Sequence, residues 1–185
     1  LLQDLLPLCN DESEHVRFQL AFTFGESSNE TAIAGLSQLA FDERNGADIQ
    51  TAILTSVSSS AARLAKLLIE KDSKTSARTS RLLSQLGQIA GSTPDTEMAL
   101  KMLTTAASDD VSTKFQQSIL EGLGKGLSAR GSTVSKLLTD KSAPKQVRIQ
   151  VAALFARAVE SARNEDRALG DRESSIHLLA YADEP

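Results

Sequence analysis

The chain has 185 residues, 41% apolar and 24% charged, with a net charge of −4. That suits one globular domain with a sizeable core, and an acidic balance with 4% aromatics and no Trp excludes the basic, stacking surface that nucleic-acid binding wants. No apolar run approaches the roughly 20 residues that cross a bilayer, so no membrane insertion is expected, and the single cysteine, Cys9, rules out an internal disulfide.

Apolar residues recur at three- and four-residue spacing and sustained alternation is missing, so the predicted elements are all helices. The chain opens at Leu1 inside a helical pattern near 1–9 (Leu1, Leu2, Leu5, Leu6), without an initial Met or a signal peptide. It reads as one domain, 1–185, cut from a longer protein, whose compartment is left open. Cys9, beside Leu8, is expected to be a small buried hydrophobe. A helix over 13–25 turns Val16, Leu20, Ala21 and Phe24 inward, with acids at its start and Gly25 as its stop. Asn29 caps a helix over 30–41 that buries Ile33, Leu36, Leu39 and Ala40.

The next pair covers 47–58 and 60–70, with Ile49, Ala52, Ile53 and Val57, then Leu64, Leu67 and Leu68 inward. A longer helix over 75–90 buries Leu82, Leu83, Leu86, Ile89 and Ala90 and ends at Gly91; Ser92, Thr93 and Pro94 read as turn, cap and first residue of a helix over 94–107. Asp109 or Asp110 is expected to cap 111–128, which buries Phe115, Ile119, Leu123 and Leu127. Gly122, Gly124 and Gly126 each weaken that helix by about 1 kcal/mol, so either a neighbour packs very close there or the end frays. Ser132 or Thr133 opens a short helix to Leu138. A long one runs from Ala143 to Ala162 with Val147, Val151, Leu154, Phe155 and Ala158 inward, and a last one covers Arg172 to Tyr181.

Two phrases repeat along this series. Phe18-Gln19-Leu20-Ala21 returns at Ile49, Phe115 and Ile149, in steps of 31, 66 and 34 residues, and Leu36-x-x-Leu39 returns at Leu64, Leu100 and Val134. A fixed period with one register per helix of each pair implies stacked hairpins that bury their apolar faces only against neighbours. The expected fold is all-α, a right-handed α-α superhelix of about five hairpins. Charge is uneven: residues 1–50 hold nine acids against Arg17 and Arg44, net −7, and residues 125–148 hold Lys125, Arg130, Lys136, Lys141, Lys145 and Arg148 against Asp140, net +5. Such asymmetry can orient a partner.

Asp11, Glu12, Ser13, Glu14, His15, Val16 and Arg17, then Ala21, Gly25, Glu26, Ala32, Ile33, Leu36, Leu39 and Ala40, together resemble a HEAT-type repeat of the short class also found in phycobilisome lyases. Asp140, Val147, Arg148 and Ala152 form a second copy. The resemblance implies that Asp11, Arg17, Asp140 and Arg148 stabilise turns and tie one unit to the next. Asp48 departs from the pattern where an Arg would fall, and residues 75–90 match it poorly. The order from Val16 to Glu26, with Leu39, Ala40, Asp42 and the run Ala52 to Ser56, is similar to the HEAT region of large planctomycete-type proteins that join a membrane-bound-dehydrogenase-like propeller to a c-type cytochrome domain. That similarity implies an extracytoplasmic redox parent in which this piece is a spacer or docking arm. The haem motif Cys-x-x-Cys-His itself does not occur here.

The chemistry-bearing residues are sparse. His15 and His177 lie 162 positions apart, and no metal, redox-dithiol or phosphate-loop motif is present. No catalytic, cofactor or metal residues are assigned, and no cofactor is expected in this piece. The recurring Gln19, Gln50, Gln116 and Gln150 are read as a hydrogen-bonding ladder to loop backbone, with an exposed line as the other reading. If a partner binds, the second helices offer a mostly basic concave ridge of Gln38, Arg63, Lys66, Lys101, Met102 and Lys136, suited to an acidic protein segment. The expected role is a non-catalytic, monomeric scaffold for protein–protein or interdomain contact. An accessory domain of a haem-containing redox protein is the alternative; a chromophore lyase is disfavoured because no catalytic residues converge.

Overall fold

The computed structural model describes residues 1–57, 59–140 and 143–182; Ser58, the predicted end of the fourth helix, and Lys141 of the basic run lie outside them. All regular structure among these residues is helical. Helix α1 (Leu2–Leu5) passes into a 3-10 turn at Leu6–Asn10 and is followed by α2 (Glu14–Gly25), α3 (Glu30–Phe41), α4 (Ala47–Thr55), α5 (Ala61–Lys71) and α6 (Ala77–Ser92). Then come α7 (Thr96–Ala106), α8 (Thr113–Ser128), α9 (Val134–Thr139), α10 (Lys145–Arg163) and α11 (Leu169–Leu179).

The helix starts follow side-chain oxygens that satisfy orphan backbone N–H groups. Asn29 accepts from the Ala32 amide at 2.8 Å and Thr133 from that of Lys136 at 3.2 Å. Two expected caps move. Asp95, not Thr93, caps α7 by accepting from the Glu97 amide, because the helix begins at Thr96 and leaves Pro94, expected as its first residue, outside it. Ser112, not Asp109 or Asp110, caps α8. Both acids are engaged elsewhere, Asp110 by the Ser108 hydroxyl and Asp109 by Arg157.

Most of the expected stripes are buried, with Leu20, Ala21 and Phe24 on α2, Ile33, Leu36, Leu39 and Ala40 on α3, and Phe115, Ile119, Leu123 and Leu127 on α8, whereas Val16, Leu67, Ile89 and Phe155, expected inward, are half-buried at the edges of their stripes. Helices α3, α5 and α7 pack in a row, α2 abuts α4, and α6 abuts α8. The order then changes. The sequence placed the Val134 helix next in the row after α7, but α10 packs against α7 and α11 against α8. With six residues, α9 is too short to cover α7. The 19-residue α10 does so, and Arg157 pairs there with the Asp109 carboxylate at 2.5 Å.

The contact between α6 and α8 has almost no side-chain layer. A Cβ at Gly87 would sit 2.5 Å from the Ile119 carbonyl oxygen, and one at Gly91 2.5 Å from that of Leu123. In return, a Cβ at Gly122 would fall on the Ser84 carbonyl and one at Gly126 on that of Gln88. Two Gly-x-x-x-Gly pairs thus face each other, one on each helix, and let the backbones touch. Gly91 is accordingly inside α6 and does not end it. Of the alternatives for Gly122 and Gly126, close packing holds; Gly124 points instead at the Tyr181 ring.

Loops between helices are tied by arginines. Arg17, 3% exposed, donates to the Asp11 carbonyl at 2.6 Å, to that of Glu12 at 3.0 Å and to Asn45 Oδ1 at 2.7 Å. Arg78 reaches the same downstream loop from the other side, through the carbonyls of Ala40, Asp42 and Asn45. Buried Asn45 completes the clasp by donating to the Leu39 carbonyl at 2.8 Å. Arg148 donates to the carbonyls of Asp140 and Ala143. Arg78 stands six positions after Asp72, as Arg17 stands six after Asp11, but it bonds the loop of the preceding hairpin and leaves Asp72 to Lys74 and Ser76. Asp42, gripped by the Arg44 guanidinium, has its carboxyl held below the usual carboxylate range.

Cys9 is 1% exposed, as expected of a buried hydrophobe. Burial pushes its thiol up to about 11, so it stays neutral in the native state well above the ordinary thiol range of about 8.5. The folded chain should therefore resist Ellman's reagent at pH 8 and react with one equivalent only on unfolding. Rapid labelling of the native chain would contradict the burial. A raised thiol pKa favours the fold below the unfolded value and loses that contribution as pH rises towards 11.

Candidate functional site

Two surfaces qualify, one on each helix row. On the second helices the cations of the anticipated ridge are exposed but compensated. Lys66 pairs with Glu70 at 3.8 Å and Lys101 with Glu97 at 2.7 Å. Arg63 donates to the Ser28 carbonyl at 2.6 Å and lies 4.0 Å from Glu30, while Lys136 Nζ donates to the Gly131 carbonyl at 3.2 Å. Gln38 is exposed on α3. The packing of α3, α5 and α7 brings Gln38, Lys66 and Lys101 onto successive helices, whereas Lys136 sits on α9, outside the row.

Met102 is fully buried, 0% exposed. The Leu100-x-x-Leu103 register places it next to a lysine in sequence but on the core side of α7, so it is a packing residue and no part of a surface. Exposed ion pairs such as Lys66–Glu70 are worth less than about 1 kcal/mol, so a competing carboxylate could displace them. The ridge nonetheless alternates in sign and is less basic than its lysines alone suggest.

The recurring glutamines divide. Gln116 is buried and donates to the Ser108 carbonyl at 3.2 Å, the loop-bonding role expected of the ladder. Gln19 is exposed, and Gln150 buries its Oε1 without a protein partner. They fail to align because the phrase and the structure are one residue out of step. On α2 the inward positions are Arg17, Leu20, Ala21 and Phe24, whereas on α4 they are Ile49, Ala52 and Ile53. Matching Leu20 to Ala52 takes 32 residues, not the 31 of the phrase. The same offset carries Phe18 outward while its apparent equivalent Ile49 stays inside.

That outward turn makes the second surface. Phe18 and Phe22 are 37% and 40% exposed and stack edge to face with centroids 5.1 Å apart. They line a groove of about 700 Å³ between α2 and α4, with Ile49 and Ala52 as its floor and Thr51 and Thr55 on the far wall. Glu14, His15 and Asp48 stand at one end. Glu14 and Asp48 are exposed and make no ion pair among the described residues. Sequence reasoning missed this groove because it used Phe18 to mark the repeated phrase and left Phe22 out; the i, i+4 spacing of the two, off the stripe of Leu20 and Phe24, was the available signal.

The histidines stay apart in role: His15 lines the groove, and His177 on α11 lies 3.3 Å from the Gln117 amide on α8. Among the described residues no group of three or more His, Cys, Asp and Glu is placed to hold a metal ion, and no helix is long and apolar enough to cross a membrane. Compared with protein-family models, curated proteins and solved structures, the chain matches none of them.

Proposed function

We propose that this chain is a non-catalytic helical-repeat scaffold, a right-handed superhelix of about five HEAT-like hairpins that as a monomer holds a protein partner or other domains of its own chain. The observation that carries this reading is the row of α3, α5 and α7, which sets Gln38, Lys66 and Lys101 on successive helices. Repeated presentation of equivalent side chains is how stacked hairpins build extended binding surfaces. The arginine ties at the loops support the same reading, since Arg17 reaches the next loop through the Asn45 side chain and Arg78 the same loop through the Ala40 carbonyl.

The test is capture of partners on the immobilised chain, with the Lys66→Glu, Lys101→Glu, Lys136→Glu triple variant beside it. A specific protein retained at low salt should lose about tenfold or more in affinity to the variant. These side chains are exposed, so the variant should melt with the parent. Affinity unchanged by the three substitutions would remove the ridge from the reading.

A further inference from the structure

We propose that the groove between α2 and α4 docks a short amphipathic helix of a partner protein that presents two apolar side chains one turn apart and a lysine or arginine at one end. The proposal rests on the scaffold reading and gives it a second surface with a partner of opposite charge to the one suited to the ridge. Single exposed apolar residues are common on protein surfaces. Here two phenylalanines touch each other on one helix, and buried Ile49 and Ala52 of the next helix floor the trough they overhang.

Polarity along the groove selects the occupant. Glu14, Phe18 and Phe22 stand four residues apart on α2, so the acid and the far ring are separated by about 12 Å of helix rise. Asp48, Thr51 and Thr55 run beside them on α4. Both carboxylates are at the same end, exposed and without a cation among the described residues, and the surrounding residues 1–50 carry net −7. An apolar-only ligand would leave that end unanswered, and an acidic one would be repelled. A helix with leucine-sized groups at i and i+4 spans the rings, and a lysine or arginine one turn further meets Glu14 and Asp48. Apolar anchors at helical spacing in a trough between two helices are a general mode of peptide capture, and the acidic field accelerates encounter with a basic segment.

The experiment titrates the isotope-labelled chain with two amphipathic peptides of about 12 residues, one built of leucine and lysine and its twin of leucine and glutamate. The lysine peptide should shift the amide signals of residues 14–22 and 48–55, and the glutamate peptide should not. Phe18→Ala with Phe22→Ala should weaken binding about tenfold or more. Glu14→Gln with Asp48→Asn should weaken it and flatten its salt dependence, which keeps the test open if the double Phe variant folds poorly. Equal binding of both peptides, or binding of neither, would overturn the proposal. Shifts confined to α3, α5 and α7 would overturn it too while leaving the scaffold reading intact. Self-association abolished by Phe18→Ala would assign the groove to a second copy, also against it.

Discussion

Gly122→Ala lowers the thermal midpoint by about 6 °C, while Gly124→Ala two residues on leaves it unchanged or slightly raised. Helix propensity alone predicts a gain of about 1 kcal/mol for both changes. The difference is what a methyl group meets. At Gly122 it falls on the Ser84 backbone carbonyl of α6, which cannot swing aside. Helices α6 and α8 would have to separate, breaking the reciprocal contacts at Gly87, Gly91 and Gly126. Overpacking of this kind costs about 3 kcal/mol, which outweighs the propensity gain. At Gly124 the nearest atoms, 2.9 Å away, belong to the Tyr181 ring, which can rotate. Circular-dichroism melts of the two variants decide the matter. Equal midpoints would mean that the helices do not touch through their backbones.

Arg17→Met costs about 3 kcal/mol, although it replaces a charge with an apolar side chain of similar length. Arg17 is buried and its guanidinium serves three acceptors, the carbonyls of Asp11 and Glu12 and the Asn45 side chain. Methionine leaves all three without their donor, and the buried Asn45 oxygen, unlike the part-buried carbonyls, cannot recover water. Arg17→Lys should rescue little, because one ammonium on a flexible stem cannot reproduce a planar fork aimed at acceptors on two loops. Denaturant melts should show the midpoint falling for both variants with the slope unchanged. Stability retained within about 0.5 kcal/mol in the Met variant would show the clasp to be dispensable.

Much of the fold was legible because spacing reports burial. The inward sets on α2, α3, α8 and α10 follow directly from apolar residues three and four apart, and Asn29 and Thr133 cap where their short side chains stand before an apolar run. What was not legible depends on contacts distant in sequence. Nothing near Gly91 says that it lies against Leu123 and so belongs inside a helix. Nothing near Val134 says that a longer helix downstream takes the place beside α7. The candidate site suffered most from the one-residue offset between α2 and α4. A recurring phrase marks similar stretches of sequence, but burial follows the helix angle. One inserted residue rotates every following side chain by about 100°, enough to leave Phe18 at the surface while Ile49, its partner in the phrase, is buried. Met102 failed for a related reason: adjacency to Lys101 in sequence puts it a third of a turn away, facing inward.

The glycine seam also divides the molecule mechanically. Where the backbones touch, at Gly87, Gly91, Gly122 and Gly126, few side chains interleave to slide or change rotamer, so the seam between α6 and α8 resists sliding. Bending of the array has to be taken up where side chains fill the joint, as between α2 and α4. The trough under Phe18 and Phe22 lies in a joint lined by side chains, whose rotamers can adjust its width to the girth of what enters it.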